Sequence, residues 1–305
     1  MKHLGLIFRL ARFHFLVLGF MLYLMGYFLA LLGGVECDFA KFFFGYLILG
    51  TAHLSVSFSN DYFDSHSDRY SVKTAFSGGS KVLVEHPELE SLALKLAVLL
   101  LSFSIISSAF FTIIYVYPFS FFIFGLLGGL VGWFYSAPPL KLAYRGLGEL
   151  TLILAVGFLI PGMGYFVASG TLGPIFQAFV FPLCCYGLFF IINVELPDVE
   201  SDAIGQKKNI LVKWGRNLAK YISALTTFAG TISMILLLFL EINANVLDLK
   251  PFVVFSFLPL IASINGLFLK NCNQRLLVRQ VVINIASMVL FLVIIDASLF
   301  FQYIS

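Results

Sequence analysis

Two short stretches gather acids in a chain that has few of them. Residues 60–68 read Asn60-Asp61-Tyr62-Phe63-Asp64-Ser65-His66-Ser67-Asp68, and residues 193–202 read Asn193-Val194-Glu195-Leu196-Pro197-Asp198-Val199-Glu200-Ser201-Asp202. On a helix, residues four apart share a face. Asn60, Asp64 and Asp68 then form one stripe with Asp61 at its side, and Asp198 and Asp202 form a second. Like charges packed this way repel, so something cationic has to neutralise them. Carboxylate and amide oxygens without convergent His or Cys suit a hard ion such as Mg2+, which completes its shell with water and phosphate oxygens. Two facing stripes therefore have the chemistry to hold Mg2+ ions around a diphosphate. One such cluster alone reads equally well as solvated helix caps at an interface. Two of matching spacing, followed by Arg69 and Lys73 in the first case and by Lys207 and Lys208 in the second, favour a shared site.

A third stretch, "YSAPPLKLAYRGLGE" from Tyr135 to Glu149, carries Lys141 and Arg145 four residues apart. Pro138 and Pro139 end the apolar run before it, because proline removes backbone donors. Basic side chains beside a metal-bound diphosphate stabilise charge developing on a leaving group. A positively charged anchor loop on the inner membrane face would use the same residues, and spacing alone leaves both readings open.

The elements that must position these residues are membrane spans. The chain has 305 residues, 60% hydrophobic and only 11% charged, against about 25% charged in soluble domains. Apolar runs cover 13–34, 39–59, 93–115, 118–137, 148–168, 175–195, 219–240, 251–269 and 280–301, each near the roughly 20 residues a bilayer core requires. The expected fold is an all-α polytopic membrane protein of nine transmembrane helices around a central cavity. With the N-terminus cytoplasmic and the C-terminus outside, all 19 basic residues except Lys41 and Lys250 fall on inner segments, as the positive-inside rule requires. The first apolar run is longer than a signal-peptide core and lacks its cleavage pattern, so it reads as a span. Cys37, Cys184, Cys185 and Cys272 have no metal-site spacing and read as unpaired.

The inner connections, about 60–92, 138–147, 196–218 and 270–279, are long and the outer ones, such as 116–117 and 169–174, are short. Function concentrates on loops held by a rigid scaffold, which makes the cytoplasmic face the working face. The acidic clusters end spans 2 and 6, equivalent places four helices apart. This suggests one domain, 1–305, with spans 1–4 and 5–8 as an internal repeat and a ninth helix added.

The motifs resemble those of the UbiA superfamily of intramembrane prenyltransferases. "NDYFDSHSD" fits that superfamily's N-D-x-x-D-x-x-x-D signature, "DVESD" its second D-x-x-x-D motif, and "YSAPPLKLAYRGLGE" its Y-S-x-P-P-x-(K/R)-x-K-x-R-G-x-G-E loop. Ala143 departs from that loop, standing where many members carry a basic residue. The resemblance implies Mg2+ bound to the diphosphate of a prenyl donor, ionisation to an allylic cation, and capture by a lipophilic or aromatic acceptor. Carried over by position, Asn60, Asp64, Asp68, Asp198 and Asp202 would hold Mg2+, with Asp61 and Asn193 in the same motifs. Arg69, Lys73, Lys141, Arg145 and Lys208 would contact the diphosphate. Tyr135 and Ser136 would sit near the diphosphate or the reacting carbon, Tyr135 also facing the cation with its ring. Asp64, Asp198, Tyr135 and Lys141 are the expected catalytic residues, and membrane lipid is an expected partner while nucleic acid is not.

After the first acid motif, "GGSKVL" looks like the "GGSRVL" of the 1,4-dihydroxy-2-naphthoate prenyltransferases. Gly78 and Gly79 would let backbone amides approach an anion. Geranylgeranylglyceryl phosphate, the acceptor in archaeal ether lipids, and 4-hydroxybenzoate are the alternatives. Arg9 and Arg12 read as headgroup contacts, Glu149 as a partner of Arg145, and His53 and Asp296 as packed interior residues. A secondary transporter is the rival reading, although transporters tend to place their acids near the bilayer midplane in broken helices.

Overall fold

The computed structural model describes residues 2–71, 74, 76–239, 247–268 and 274–305, so the expected contact Lys73 and also Cys272 lie outside the described residues. Every regular element among the described residues is helical. A short helix α1 (Lys2–Ala11) leads into α2 (Phe13–Leu32), with Arg12 left-handed between them. Then come α3 (Phe39–Asp68), the single turn α4 (Val82–Glu85), α5 (Glu90–Ile114) and α6 (Phe119–Trp133). Helix α7 (Gly148–Leu154) runs through a π-helical turn into α8 (Ile160–Ser169). Helix α9 (Pro174–Glu195) runs through a tight turn into α10 (Val199–Ile204), and α11 (Ile210–Trp214), α12 (Arg216–Leu237), α13 (Lys250–Leu267) and α14 (Gln274–Ile304) complete the chain.

Among the described residues, eight helices are long and apolar enough to cross a membrane. The segment expected as the fourth span, 118–137, is the exception. Its helix α6 has 15 residues, about 22 Å of rise against a hydrocarbon core of about 30 Å. The chain leaves the helix at Phe134 and turns, and that turn sets Tyr135 and Ser136 inside the bundle. Helix α3, by contrast, continues past the expected end of its span and carries the whole first acidic motif on its last turns.

Side by side, α2, α3, α5, α6, the α7–α8 rod, α9, α12, α13 and α14 pack each on a neighbour, and α14 closes back on α2. Two cavities lie inside this ring. Local sequence explains its irregular points. Pro161 has no N–H to bond the Gly157 carbonyl, and the π-helical turn of Ala155–Leu159 lies just before it. Such turns recur at functional sites, and here Ala155, Val156 and Leu159 face a cavity.

Because lipid offers no hydrophobic force between helices, close backbone approach at small residues holds such bundles together. Helices α2 and α8 interlock in this way. A side chain on Gly26 would strike the Pro161 carbonyl, and one on Gly164 would strike the Tyr23 carbonyl. Gly164→Val should therefore separate α2 from α8, at the roughly 1–3 kcal/mol typical of overpacking or more. Thermal unfolding of the purified protein in detergent would read this as a lower midpoint. An unchanged midpoint would show that this contact does not hold the ring.

Candidate active site

The C-terminal ends of α3 and α9, helix α10, the 134–147 turn and the 76–81 loop surround a polar cavity of about 120 Å³. Six carboxylates line it, those of Asp61, Asp64, Asp68, Glu195, Asp198 and Asp202, and two cations, Arg12 and Lys207. The i, i+4 spacing on α3 places Asp64 and Asp68 on the cavity with Asn60, while Pro197 breaks α9 so that α10 turns Asp198 and Asp202 toward them. Helix geometry thus brings the two stripes to one chamber, as their spacing predicts.

Four of the six acids are held by specific donors. Tyr144 donates its hydroxyl to Asp64 Oδ1 at 2.7 Å and Ser136 donates to Asp64 Oδ2 at 3.1 Å. Asn209 donates its amide to Asp202 Oδ2 at 2.8 Å, and its own oxygen caps α11 by accepting from the Val212 N–H at 2.7 Å. The Gly78 N–H donates to Asp198 Oδ2 at 2.8 Å and the Ser80 N–H to Asp61 Oδ1 at 3.4 Å. The glycine loop therefore presents its amides to anions, and the anions are the two acid motifs themselves. Gly79 is left-handed (φ 65), and a side chain there would collide with the Asp68 carboxylate. Lys81 fastens the loop by donating its ammonium to the backbone oxygen of Asp68 and to Ser71 Oγ.

Lys207 spans the chamber. Its Nζ lies 3.2 Å from Asp64 Oδ2 and 3.4 Å from Asp202 Oδ1. Burial works against its charge, yet Asp64 and Asp202 outweigh burial and raise its pKa well above the usual lysine value, so the ammonium keeps its proton. The Tyr144 hydroxyl is likewise raised, by burial first and then by Asp64, so it stays protonated and remains a donor.

Several oxygens on the chamber wall have no hydrogen-bond partner: Asn60 Oδ1, Asp61 Oδ2, Glu195 Oε2 and Asp198 Oδ1. Buried acceptors without donors are costly, and the excess of carboxylates over cations is costlier. Both features fit a bound hard cation such as Mg2+. Among the described residues no three acidic side chains converge closely enough to cage an ion by themselves.

A second, mostly apolar cavity of about 290 Å³ continues into the bundle. Arg12, Asn60, Tyr135, Ile191 and Val194 line both cavities, so the two share a wall. Gly125, Gly128, Gly129 and Gly132 give α6 a smooth face toward the apolar cavity, and His53 is one of its few polar residues.

Most of the other residues expected at the site lie off the chamber. Lys141 is exposed, left-handed (φ 46), with its ammonium 5.4 Å from the Tyr144 ring centre and off the chamber. Arg145 is exposed and donates to the Pro139 carbonyl at 2.9 Å. Arg69 and Lys208 are exposed as well. Each follows a chamber residue directly, Arg69 after Asp68 and Lys208 after Lys207, and consecutive side chains point in different directions. Asn193 is off the chamber: its oxygen accepts from Asn284 at 2.7 Å and its amide donates to the Phe189 carbonyl at 2.8 Å. Arg12, expected at the headgroups, lines both cavities and pairs with Asp61 at 3.9 Å. Glu149 does not pair with Arg145; it accepts from the Ile210 N–H. Asp296 is buried in α14 with both oxygens unpartnered and lies on neither cavity.

Sequence reading missed Tyr144, Asn209 and the inward turn of Lys207. Tyr144 stood in the quoted loop, and its neighbour Arg145 drew attention because charge was the signal sought.

The pressure of the glycine loop on Asp68 is testable. A left-handed alanine costs about 1–2 kcal/mol, and Gly170→Ala, in a left-handed turn (φ 73) with its nearest foreign atom at 3.9 Å, should cost only that. Gly79→Ala should cost more, because Asp68 must also move. Equal unfolding midpoints for the two variants would show that the loop does not press on Asp68.

The sequence pattern of the UbiA prenyltransferase family matches residues 17–277. No match is found among curated proteins. Solved structures share the fold. A UbiA homologue from Archaeoglobus fulgidus bound to GPP and Mg2+ is 17% identical with a TM-score of 0.58, covering 94% of this chain and 99% of its own. A structure described for digeranylgeranylglyceryl phosphate synthase in membranes is 18% identical with a TM-score of 0.67, covering 98% and 99%. The apo UbiA homologue from Aeropyrum pernix K1 is 17% identical with a TM-score of 0.63, covering 89% and 97%. A family pattern matched over most of the length, on a helical bundle whose two acid motifs meet in one chamber, makes this chain an integral membrane protein of the UbiA prenyltransferase family and a prenyl-transferring enzyme.

Proposed function

We propose that the protein transfers an isoprenyl group from a prenyl diphosphate to an aromatic acceptor, with 1,4-dihydroxy-2-naphthoate as the first candidate. The observation that carries this reading is the shared wall between a polar, acid-lined chamber and an apolar cavity. A donor with a polyanionic head and a hydrocarbon tail matches both in one molecule. The "GGSKVL" loop, whose Gly78 N–H holds Asp198, supports the naphthoate acceptor by its resemblance to that branch. A glycerol-phosphate acceptor is the second reading, because a digeranylgeranylglyceryl phosphate synthase shares the fold over nearly its whole chain. The distribution of lysine and arginine supports a chamber toward the cytoplasm, and a plasma-membrane location is part of the same reading.

Asn60, Asp61, Asp64, Asp68, Asp198 and Asp202 would hold Mg2+. Once bound, Mg2+ lowers the negative charge on the leaving diphosphate. Lys207 and Arg12 supply further positive charge at the same oxygens. The donor's C1–O bond breaks and its electron pair leaves with the diphosphate. An acceptor carbon then supplies the pair for the new C–C bond and loses its proton. Tyr135, on the wall common to both cavities, offers its ring face to the allylic cation. The apolar cavity keeps water from that cation.

Reconstituted protein with geranylgeranyl diphosphate and Mg2+ should prenylate 1,4-dihydroxy-2-naphthoate, and parallel tubes with geranylgeranylglyceryl phosphate and 4-hydroxybenzoate name the acceptor. EDTA should abolish turnover, and Asp64→Ala and Asp198→Ala should each lower it on the order of 100-fold or more. Absence of diphosphate release in every tube would overturn the reading. In the same assay Tyr144→Phe, which frees Asp64 Oδ1, should lower kcat/KM about 10–100-fold, the usual cost of losing a residue that orients a metal ligand. An unchanged value would remove Tyr144 from the site.

A further inference from the structure

Lys207 stands where a metal would compete. It takes one carboxylate from each acid motif, Asp64 Oδ2 on α3 and Asp202 Oδ1 on α10. The remaining oxygens of those two acids are held by neutral donors, Tyr144 on Asp64 and Asn209 on Asp202. The chamber oxygens left without partners, Asn60 Oδ1, Asp61 Oδ2, Glu195 Oε2 and Asp198 Oδ1, belong to the same two acidic stretches. Lys207 is therefore the one described cation that bridges the motifs; Arg12 pairs with Asp61 alone, at 3.9 Å.

The backbone that carries Lys207 is fixed. Its N–H donates to the Asp202 carbonyl at 2.9 Å across a helix-ending turn, with Gln206 left-handed (φ 62) just before it. A glutamine rarely adopts that conformation, so the turn aims the next side chain inward by design of the surrounding packing. The ammonium itself rides on four flexible methylenes. The Tyr144 ring, 5.8 Å away, offers it a π face. A rigid base with a movable charged tip suits an exchange between two sets of partners.

We propose that Lys207 is an internal, exchangeable counter-ion: it bridges Asp64 and Asp202 in the metal-free enzyme, yields both carboxylates to an entering divalent cation, and turns its ammonium to the oxygens of the donor diphosphate. This rests on the metal-dependent reading proposed above. Two carboxylates from different motifs would repel each other without a cation between them. Lys207 meets that need before substrate arrives, and the diphosphate provides its new partner afterwards. Metal and diphosphate then favour each other's binding, because each relieves the other's competitor or supplies the displaced charge with a contact.

The test is Mn2+ binding to the full chain in nanodiscs, without donor, followed by electron paramagnetic resonance. Lys207→Gln should bind Mn2+ about tenfold tighter or more, since a hydrogen bond to a charged group is worth about a decade in affinity. Its metal-free thermal midpoint should fall and should recover when Mn2+ is added. Arg12→Gln removes the same charge from the same chamber without opening the bridge between the motifs, and because its one pair, with Asp61, is long at 3.9 Å it should tighten Mn2+ binding less than Lys207→Gln does. Lys207→Arg keeps the charge but forks onto both carboxylates, so it should bind Mn2+ more weakly than the wild type. Equal affinity in Lys207→Gln and wild type, or equal tightening in Arg12→Gln, would overturn the exchange. Should Lys207→Gln not fold, an unweakened Lys207→Arg overturns it instead. A wild-type protein that binds no Mn2+ even with inorganic diphosphate present would overturn the proposed function itself, a result distinct from the variant comparison.

Discussion

Six carboxylates crowd one chamber at the end of a membrane bundle, and their mutual repulsion is the constraint that the surrounding structure answers. Charges held away from water need opposite charge and directed hydrogen bonds. The chain answers from four separate segments. Tyr144 and Ser136 come from the turn after α6, Gly78 and Ser80 from the loop after α3, Asn209 and Lys207 from the turn after α10, and Arg12 from the break between α1 and α2. Most are far in sequence from the acid they serve, although Asn209 and Lys207 stand only a turn beyond Asp202. The site is thus a meeting point of loops, positioned by helices that must not shift.

That demand explains features of the scaffold that look like defects locally. Helix α6 stops short, and the chain beyond it turns so that Tyr135 and Ser136 reach the interior instead of the lipid. Pro197 interrupts α9, and without that interruption Asp198 and Asp202 would continue along the helix axis. Arg12 and Gln206 both take left-handed backbones that their side chains do not favour. Such strain persists only where surrounding structure over-determines it, and it gathers at functional sites. The buried Asn284 amide donates to Asn193 and ties α14 to α9, the helix that leads into the second motif, and Gln280 in turn donates to Asn284.

Much of this was legible before the fold was known. The apolar runs predicted the spans because a bilayer core sets their length, and i, i+4 spacing placed Asp64 with Asp68 and Asp198 with Asp202 because helical periodicity is local. The fourth span was read as too long, since composition does not reveal where a helix yields to a turn. The basic residues were the weakest reading. Arg69 and Lys208 stand beside chamber residues in sequence but are exposed, Lys141 and Arg145 are exposed as well, and Arg12, expected at the headgroups, lies on the chamber wall.

The sequence by itself determined the membrane class, the two acid motifs and the oxygen-rich chemistry that calls for a hard cation, because composition and short-range periodicity carry that information. Only the tertiary structure decided which cation faces those acids. Lys207 and Lys208 are indistinguishable as letters, and the difference between them is the direction of a turn that brings one to Asp64, far away in the chain. Such a choice is made by packing between distant segments, and no local pattern records it.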